Sequence, residues 1–288
     1  MTIGIGAMCH EGKCVIMAAD RRGSFADPTV KPHDHVGKQY DLPFGFVANT
    51  AGMKSVCQSV ANELYSRMDK LKAAPFIHHD HVRNAIRESV RAEFFYRVDC
   101  EMTRKLGTTL QEFKKMPATD LHYRRCQRLL STFFLNIHLT VAGFSDDGAP
   151  VLLTAYGHDA PEMDEMSIIG SGYDAALLVL TDRGQNAHQG ITRTAVHVCE
   201  AVMAAERSDP ASVGRCDGLV VLTPKKFRAI PFSSPLLQGL ITKYHQKDTE
   251  PMDDDLDSIS AFLGELHDIG ITREEYRAGK RSLTPLVS

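Results

Sequence analysis

The chain has 288 residues, of which 43% are hydrophobic, and this length can bury the core of one large domain or of two modest ones. With 33 basic and 36 acidic side chains the formal net charge is -3, so no basic excess indicates a nucleic-acid partner. No apolar run approaches the roughly 20 residues that cross a bilayer, and the start lacks the regions of a signal peptide. We therefore expect a cytoplasmic protein with no nucleic-acid and no membrane partner.

Short apolar runs predict strands, and longer runs with apolar residues at helical spacing predict helices. The predicted strands cover residues 3–8, 14–19, 38–42, 44–48, 131–144, 150–157, 218–224 and 225–232. The predicted helices cover residues 53–73, 81–104, 173–184 and 191–209. Strands, two helices, strands, two helices and strands in this order suggest two packed sheets with helices on both outer faces.

The composition divides the chain into a main domain over residues 1–242 and a C-terminal extension over residues 243–288. Within the main domain, the charged segment 105–128 is interpreted as an insertion or a helix extension. The C-terminal extension is predicted to hold an acidic linker and two short helices, over residues 258–270 and 272–279.

Metal binding is not predicted, although two clusters of histidine and aspartate attract attention. Each cluster lies at a predicted turn or helix start, where Asp80 is a good N-cap, and neither has a visible convergent ligand from elsewhere. The seven cysteines are scattered without a C-x-x-C pair, so we expect mostly buried thiols and no zinc. The two clusters are His33, Asp34 and His35, and His78, His79, Asp80 and His81.

Thr2 follows the initiator methionine directly, and the next residues form the first predicted hairpin. Threonine is small enough for Met1 to be removed, which would leave Thr2 with a free α-amine beside its hydroxyl. Such a residue can act as a nucleophile, because its own amine serves as the nearby base. Taken alone, a Met-Thr start is common and indicates only an ordinary N-terminal hairpin.

Asp20 ends a fully apolar strand, where a carboxylate is costly to bury without a partner. Arg22 and Lys38 are the natural partners, and Lys38 begins the next predicted strand on the same face as Tyr40. A lysine near the hydroxyl of Thr2, oriented by a carboxylate, would assist proton removal. An ordinary ion pair between Asp20 and Lys38 is the alternative.

Further short motifs occur one after another along the chain. Lys38 lies thirteen residues before Ala51, which opens an Ala-Gly pair ahead of the first helix. The other motif residues are Thr2; Asp20, Arg21 and Arg22; Ser171 within Gly-Ser-Gly; and Asp209, Ser212 and Gly214 before a strand. Across residues 2–232 the sequence resembles the proteasome β-subunit-like N-terminal nucleophile hydrolases, whose bacterial branches include HslV, Anbu and the betaproteobacterial proteasome homologues.

The resemblance implies an α+β fold, a four-layer αββα sandwich, and the activity of a threonine-type endopeptidase without a cofactor. It implies a homo-oligomeric ring that takes peptides or unfolded proteins as substrates, with an unfoldase as a possible partner. Two alternatives stay open: a non-catalytic ring scaffold, and an amidase that acts on small amides with the same chemistry.

The resemblance also implies a role for each matching residue. Thr2 is the nucleophile, Lys38 assists proton transfer and Asp20 orients Lys38. The N–H of Gly52 faces the developing oxyanion. The polar network around the amine consists of Ser171, Asp209 and Ser212.

For substrate binding, the resemblance implies a pocket for the side chain before the scissile bond. Lys54 in this pocket suggests a preference for acidic residues. Ser24 and Gly52 would hold the substrate backbone as an added strand. The residues implied to line the pocket are Gly23, Val36, Tyr40, Thr50 and Lys54.

Two spacings depart from the family pattern. The segments from Thr2 to Asp20 and from Asp20 to Lys38 are each about two residues longer than usual. Since side chains alternate with period two, an even insertion in the hairpin keeps Asp20 on the inward face. Lys31 competes with Lys38, but Lys31 precedes Pro32 and lies outside the strand pattern.

Overall fold

The computed structural model describes residues 2–22, 37–157, 161–214, 216–224, 227–246 and 267–268. The strands are β1 (Ile3–Cys9), β2 (Cys14–Asp20), β3 (Gln39–Leu42), β4 (Phe46–Gly52), β5 (Ile137–Phe144), β6 (Pro150–Tyr156), β7 (Glu162–Met163), β8 (Met166–Gly170), β9 (Cys216–Leu222), β10 (Phe227–Pro231) and β11 (His267–Asp268). The α-helices are α1 (Lys54–Lys70), α2 (His79–Leu106), α3 (Leu110–Phe113), α4 (Leu121–Thr132), α5 (Tyr173–Asp182), α6 (Ile191–Ser208) and α7 (Pro235–Gln246).

The strands form two antiparallel sheets, with the orders β11-β10-β9-β2-β1-β8 and β3-β4-β5-β6-β7. The pairing of β1 with β2 runs without a break from Gly4 and Ala19 to Cys9 and Cys14. The tight turn between them uses three consecutive residues with positive φ, from His10 to Gly12. Because the register is unbroken, Asp20 at the end of β2 lies beside the start of β1.

Helices cover both outer faces of the two sheets. The buried side chains of α5, α6 and α7 pack with the first sheet, and those of α1 and α2 pack with the second. A third apolar cluster lies between the sheets and includes Met17, Val47 and Val220. The predicted four-layer αββα sandwich is therefore confirmed. None of the helices in the described ranges has the length and apolarity needed to cross a membrane.

The segment predicted as an insertion consists of α3 and α4, which pack on the end of the long helix α2. This contact has its own small core, formed by Val98, Met102, Phe113 and Cys126. The predicted strand over residues 131–144 is wrong in its first part, because α4 continues to Thr132. An N-cap bond from the His122 N–H to Asp120 Oδ1, at 2.7 Å, starts that helix.

Several elements differ from the predictions. The short strand β8 and the helix α7 were not predicted, although α7 starts with a proline, which is favoured at the first helical position. The helix predicted over residues 258–270 is wrong at His267 and Asp268, which pair with β10. The edge of β10 offers these two residues backbone partners. The acidic linker and the helix predicted over residues 272–279 lie outside the described residues.

Candidate active site

The side chains of Thr2, Asp20 and Lys38 meet at one end of the neighbouring strands β1 and β2 of the first sheet. Because β1 and β2 are antiparallel, the start of β1 and the end of β2 lie side by side. The Thr2 hydroxyl donates to Asp20 Oδ1 and accepts from Lys38 Nζ. Their exposed fractions are 1%, 0% and 8% respectively, so all three interact in an environment that contains little water.

The Asp20 carboxylate is satisfied from several directions at once. Lys38 Nζ lies 2.8 Å from Oδ1 and 3.0 Å from Oδ2. The N–H of Ile3 donates to Oδ1 at 2.9 Å, and the N–H groups of Arg22 and Gly214 donate to Oδ2 at 3.0 and 2.9 Å. This number of donors compensates the cost of burying the charge.

Lys38 is positioned by strand pairing just before β3. The N–H of Thr50 in β4 donates to the Lys38 carbonyl at 2.8 Å. By alternation, Tyr40 in β3 is expected on the same face as Lys38. Burial first, and then Cys57, raise the pKa of Tyr40, while a hydrogen bond with Thr50 lowers it. Thr50 thus lies opposite Lys38, and Tyr40 packs against the apolar cluster of the second sheet that includes the buried Cys57.

Of the other predicted pocket residues, Lys54 is exposed at the first position of α1. Thr50 is buried, and its hydroxyl donates to the Lys38 carbonyl at 3.4 Å. Gly23, Ser24 and Val36 lie outside the described residues, as does Lys31. The pocket and its preference for acidic side chains therefore stay predictions.

Ser171, Asp209 and Ser212 belong to two segments that meet near the start of β1. The Ser171 hydroxyl donates to Asp209 Oδ2 at 3.1 Å. Asp209 ends α6, and the N–H of the buried Ser212 donates to its carbonyl at 3.1 Å. The guanidinium of Arg22 donates to the Pro210 carbonyl, so the exit of β2 is tied to this loop.

Glycines allow the backbone to approach Thr2 closely. Gly170 has a φ of +100°, and a Cβ at this position would collide with the Thr2 carbonyl. The N–H of Gly172 donates to the same carbonyl at 3.4 Å, and a Cβ there would lie 2.6 Å from the Ala205 Cβ. Gly52, with a φ of +131°, likewise has no room for a Cβ beside the Asn136 carbonyl.

Sequence analysis missed two contributions to this site. The Gly-Ser-Gly motif was interpreted through Ser171, whereas its flanking Gly170 and Gly172 contact the Thr2 backbone. Gly214 was recognised as a motif residue, but its N–H was not recognised as a donor to Asp20. In both cases the glycine in the motif was the available signal, since it marks a close backbone approach.

At the start of α2, potential metal ligands of His78, His79 and Asp80 lie within 4.8 Å of one another. Local capping explains their arrangement, because His78 and His81 form a reciprocal capping box. The prediction of Asp80 as the N-cap is wrong: His78 is the N-cap, and Asp80 lies in the first turn of α2. Asp80 Oδ1 lies 3.3 Å from His79 Nε2. The prediction that this cluster binds no metal stays a prediction, and the first cluster lies outside the described residues.

No protein-family model matches the chain, and no curated protein matches it in sequence. Among solved structures, it is similar to the (Gly-1) mutant of Anbu from Hyphomicrobium sp. strain MC1, with a TM-score of 0.58 and 13% identity. The similarity covers 94% of this chain and 100% of that chain. The chain therefore has a proteasome-like fold, that of the bacterial proteasome homologue Anbu.

Proposed function

We propose that the chain is a threonine-type peptidase, in which removal of Met1 exposes Thr2 as the nucleophile. One observation carries this proposal: the buried Thr2 hydroxyl lies between the Asp20 carboxylate and the Lys38 ammonium. A structural ion pair would require only Asp20 and Lys38. The inclusion of a hydroxyl on the residue that becomes the N-terminus favours nucleophilic chemistry.

The proposed first step is attack by Thr2 Oγ on the carbonyl carbon of the scissile peptide bond. The proton of the hydroxyl passes through a water molecule to the α-amine of Thr2. The Lys38 ammonium, which donates to Oγ, stabilises the negative charge that develops there. Asp20 holds this ammonium in place through both carboxylate oxygens.

The tetrahedral intermediate then needs a donor for its oxyanion, and the N–H of Gly52 has this role in the proposal. Ser171, Asp209 and Ser212 would order the amine of Thr2 and its water. The α-amine returns its proton to the leaving amine, and an ester remains on Thr2 Oγ. Hydrolysis of this ester by water regenerates the enzyme.

The proposed substrates are peptides or unfolded proteins, with the side chain before the scissile bond beside Tyr40 and Thr50. The proposal extends to a homo-oligomeric ring. Native mass spectrometry of the purified chain tests the ring, and a monomer at micromolar concentration would contradict it.

The first test of the activity is intact mass before and after exposure to a peptide epoxyketone, which reacts with a hydroxyl and its adjacent amine. We expect loss of the Met1 mass and addition of one inhibitor molecule per chain. Thr2→Ala should abolish the adduct without a change in the melting temperature of more than a few degrees.

Retention of Met1 in the whole sample, with no adduct, would overturn the proposal in favour of a ring scaffold. Adduct formation without cleavage of any peptide in a diverse panel would overturn the peptide substrate and favour the amidase alternative. The proposed nucleophile and the proposed peptide substrate are thus overturned by different results.

A further inference from the structure

Thr2 separates two sides of the candidate site, because β1 lies between β2 and β8 in the first sheet. On the β2 side lie Asp20, Lys38 and Tyr40. On the β8 side, Gly170 pairs with Ile3. At this end of the second sheet, Lys38, just before β3, contacts Asp20 of β2, and Tyr156 of β6 contacts Ile168 of β8. A peptide bound across Thr2 must therefore place its two halves on opposite sides.

The β8 side carries aromatic groups at the ends of strands. Tyr156 ends β6, and its hydroxyl donates to the Ile168 carbonyl in β8 at 3.2 Å, so it links the two sheets. Its ring packs edge-to-face against His138, with 5.1 Å between centroids. His138 pairs with Ala51, directly before Gly52. His138 therefore lies beside the strand end that would hold the oxyanion, and Tyr156 lies one strand further away.

Tyr173 adds a third ring as the first residue of α5, two positions after Ser171. Tyr173 follows Gly172, whose N–H donates to the Thr2 carbonyl, and Tyr156 donates to Ile168 on the strand that leads into this turn, so both tyrosines lie at the same end of β8. Burial first, and then Tyr173, raise the pKa of Tyr156. Burial lowers the pKa of His138 below its ordinary value. We name His138, Tyr156 and Tyr173 the aromatic wall.

The aromatic wall is open to solvent despite its contacts. Tyr156 is 41% exposed and Tyr173 is 39% exposed. Aromatic surface of this kind gains from contact with another large apolar or aromatic group, which removes it from water and allows ring packing. The hydroxyl of Tyr156 has a role in the fold, through its bond to Ile168, whereas the exposed ring surfaces of Tyr156 and Tyr173 have no role in the proposed chemistry at Thr2.

We propose that the aromatic wall binds the side chain that follows the scissile bond, and that it favours large aromatic residues there. This inference rests on the proposed function, in which the part of the substrate before the scissile bond lies beside Tyr40. The leaving half of the substrate then lies on the β8 side, which carries the aromatic wall.

The test uses the ester on Thr2 and added amines. A peptide methyl ester acylates Thr2 and releases methanol, which is too small to contact the wall. An added amine then attacks the Thr2 ester: its nitrogen forms the new C–N bond, the C–Oγ bond breaks, and one amine proton returns to Oγ. Mass spectrometry counts the amide products formed with phenylalaninamide and with glycinamide, supplied at equal concentration.

We expect the wild-type protein to favour phenylalaninamide by about tenfold or more. Tyr173→Ala and Tyr156→Ala should each bring the ratio towards the value for uncatalysed aminolysis. Tyr156→Phe keeps the ring and should keep the preference. Tyr96→Ala removes an exposed tyrosine from α2, outside the wall, and is the matched control.

The epoxyketone adduct, measured on every variant, reports whether the site around Thr2 is intact. If Tyr156→Ala loses the adduct, Tyr173→Ala decides the test. Equal use of both amines by an acylated wild-type protein would overturn the inference while the proposed function stands. A preference that persists in the alanine variants would also overturn it. Failure of acylation together with failure of the adduct would remove the proposed function itself.

Discussion

Lys38 Nζ lies 2.8 Å from one oxygen of Asp20 and 3.0 Å from the other. The same ammonium donates to the Thr2 hydroxyl. Lys38 is therefore both the countercharge of a fully buried carboxylate and a cation in contact with the proposed nucleophile. These two roles can be separated by substitution.

Lys38→Ala should lower kcat by about 100-fold or more, since it removes the charge beside Thr2 Oγ. It should also lower the free energy of unfolding by about 3–5 kcal/mol, because the buried Asp20 then loses its countercharge and keeps only its neutral donors. In the double variant, Asp20→Asn added to Lys38→Ala removes the buried negative charge, so it should restore part of the stability and none of the activity. Lys13→Ala, at an exposed ion pair, is the control. Peptide cleavage and thermal melting measure the two effects, and full activity in Lys38→Ala would contradict the assignment.

Gly170→Ala should prevent the epoxyketone adduct, because the new Cβ would displace the Thr2 carbonyl. Gly148→Ala is the matched control: Gly148 also has a positive φ, of +82°, but a Cβ there meets no atom within 4 Å. Both variants carry the strain of a left-handed residue, about 1 kcal/mol or more. Only Gly170→Ala should lose reactivity, and equal reactivity of the two would show that the close approach to Thr2 is unimportant.

Asp41→Asn should stabilise the protein at high pH. Both carboxylate oxygens of Asp41 are buried without a hydrogen-bond partner, and burial raises its pKa to about 7. Between the usual carboxyl pKa and pH 7 the unfolded chain loses this proton first, so the stability of the wild type falls as pH rises. Above pH 7 the variant should gain on the order of 2 kcal/mol, and near pH 4 it should gain little. Melting curves between pH 4 and 8 test this, with the exposed Asp182→Asn as control.

His197→Gln should change the stability of the protein at acidic pH, where the wild type loses stability as the pH falls. Burial first, and then Arg193 and Arg183, lower the pKa of His197 to about 3. Its Nδ1 lies 2.8 Å from Gln185 Oε1. As pH falls below the ordinary histidine pKa, the unfolded state binds a proton that the folded state does not, so stability is lost until about pH 3. Glutamine should flatten this loss, and an unchanged acid slope would contradict the buried neutral state.

The sequence predicted the sandwich well because its two hairpins and two pairs of helices have regular apolar spacing. It failed at β8 and α7, where short apolar runs carry no distinctive period. At the site, Thr2, Asp20 and Lys38 could be brought together from strand order and side-chain alternation. The N–H of Ile3 could not be anticipated, since a backbone donor leaves no signature in side-chain chemistry, and the N–H of Gly214 was signalled only by the glycine in its motif.

The hydrogen bond from Gly214 to Asp20 joins residues 194 positions apart in the chain. Asp20 has its complete set of donors only after β9 has joined β2, which requires nearly the whole domain to be synthesised. A partly synthesised chain that ends before this point therefore holds Thr2, Asp20 and Lys38 without the support that fixes the carboxylate. Under the proposed function, the order of chain synthesis delays an ordered nucleophile until the fold that encloses it is complete.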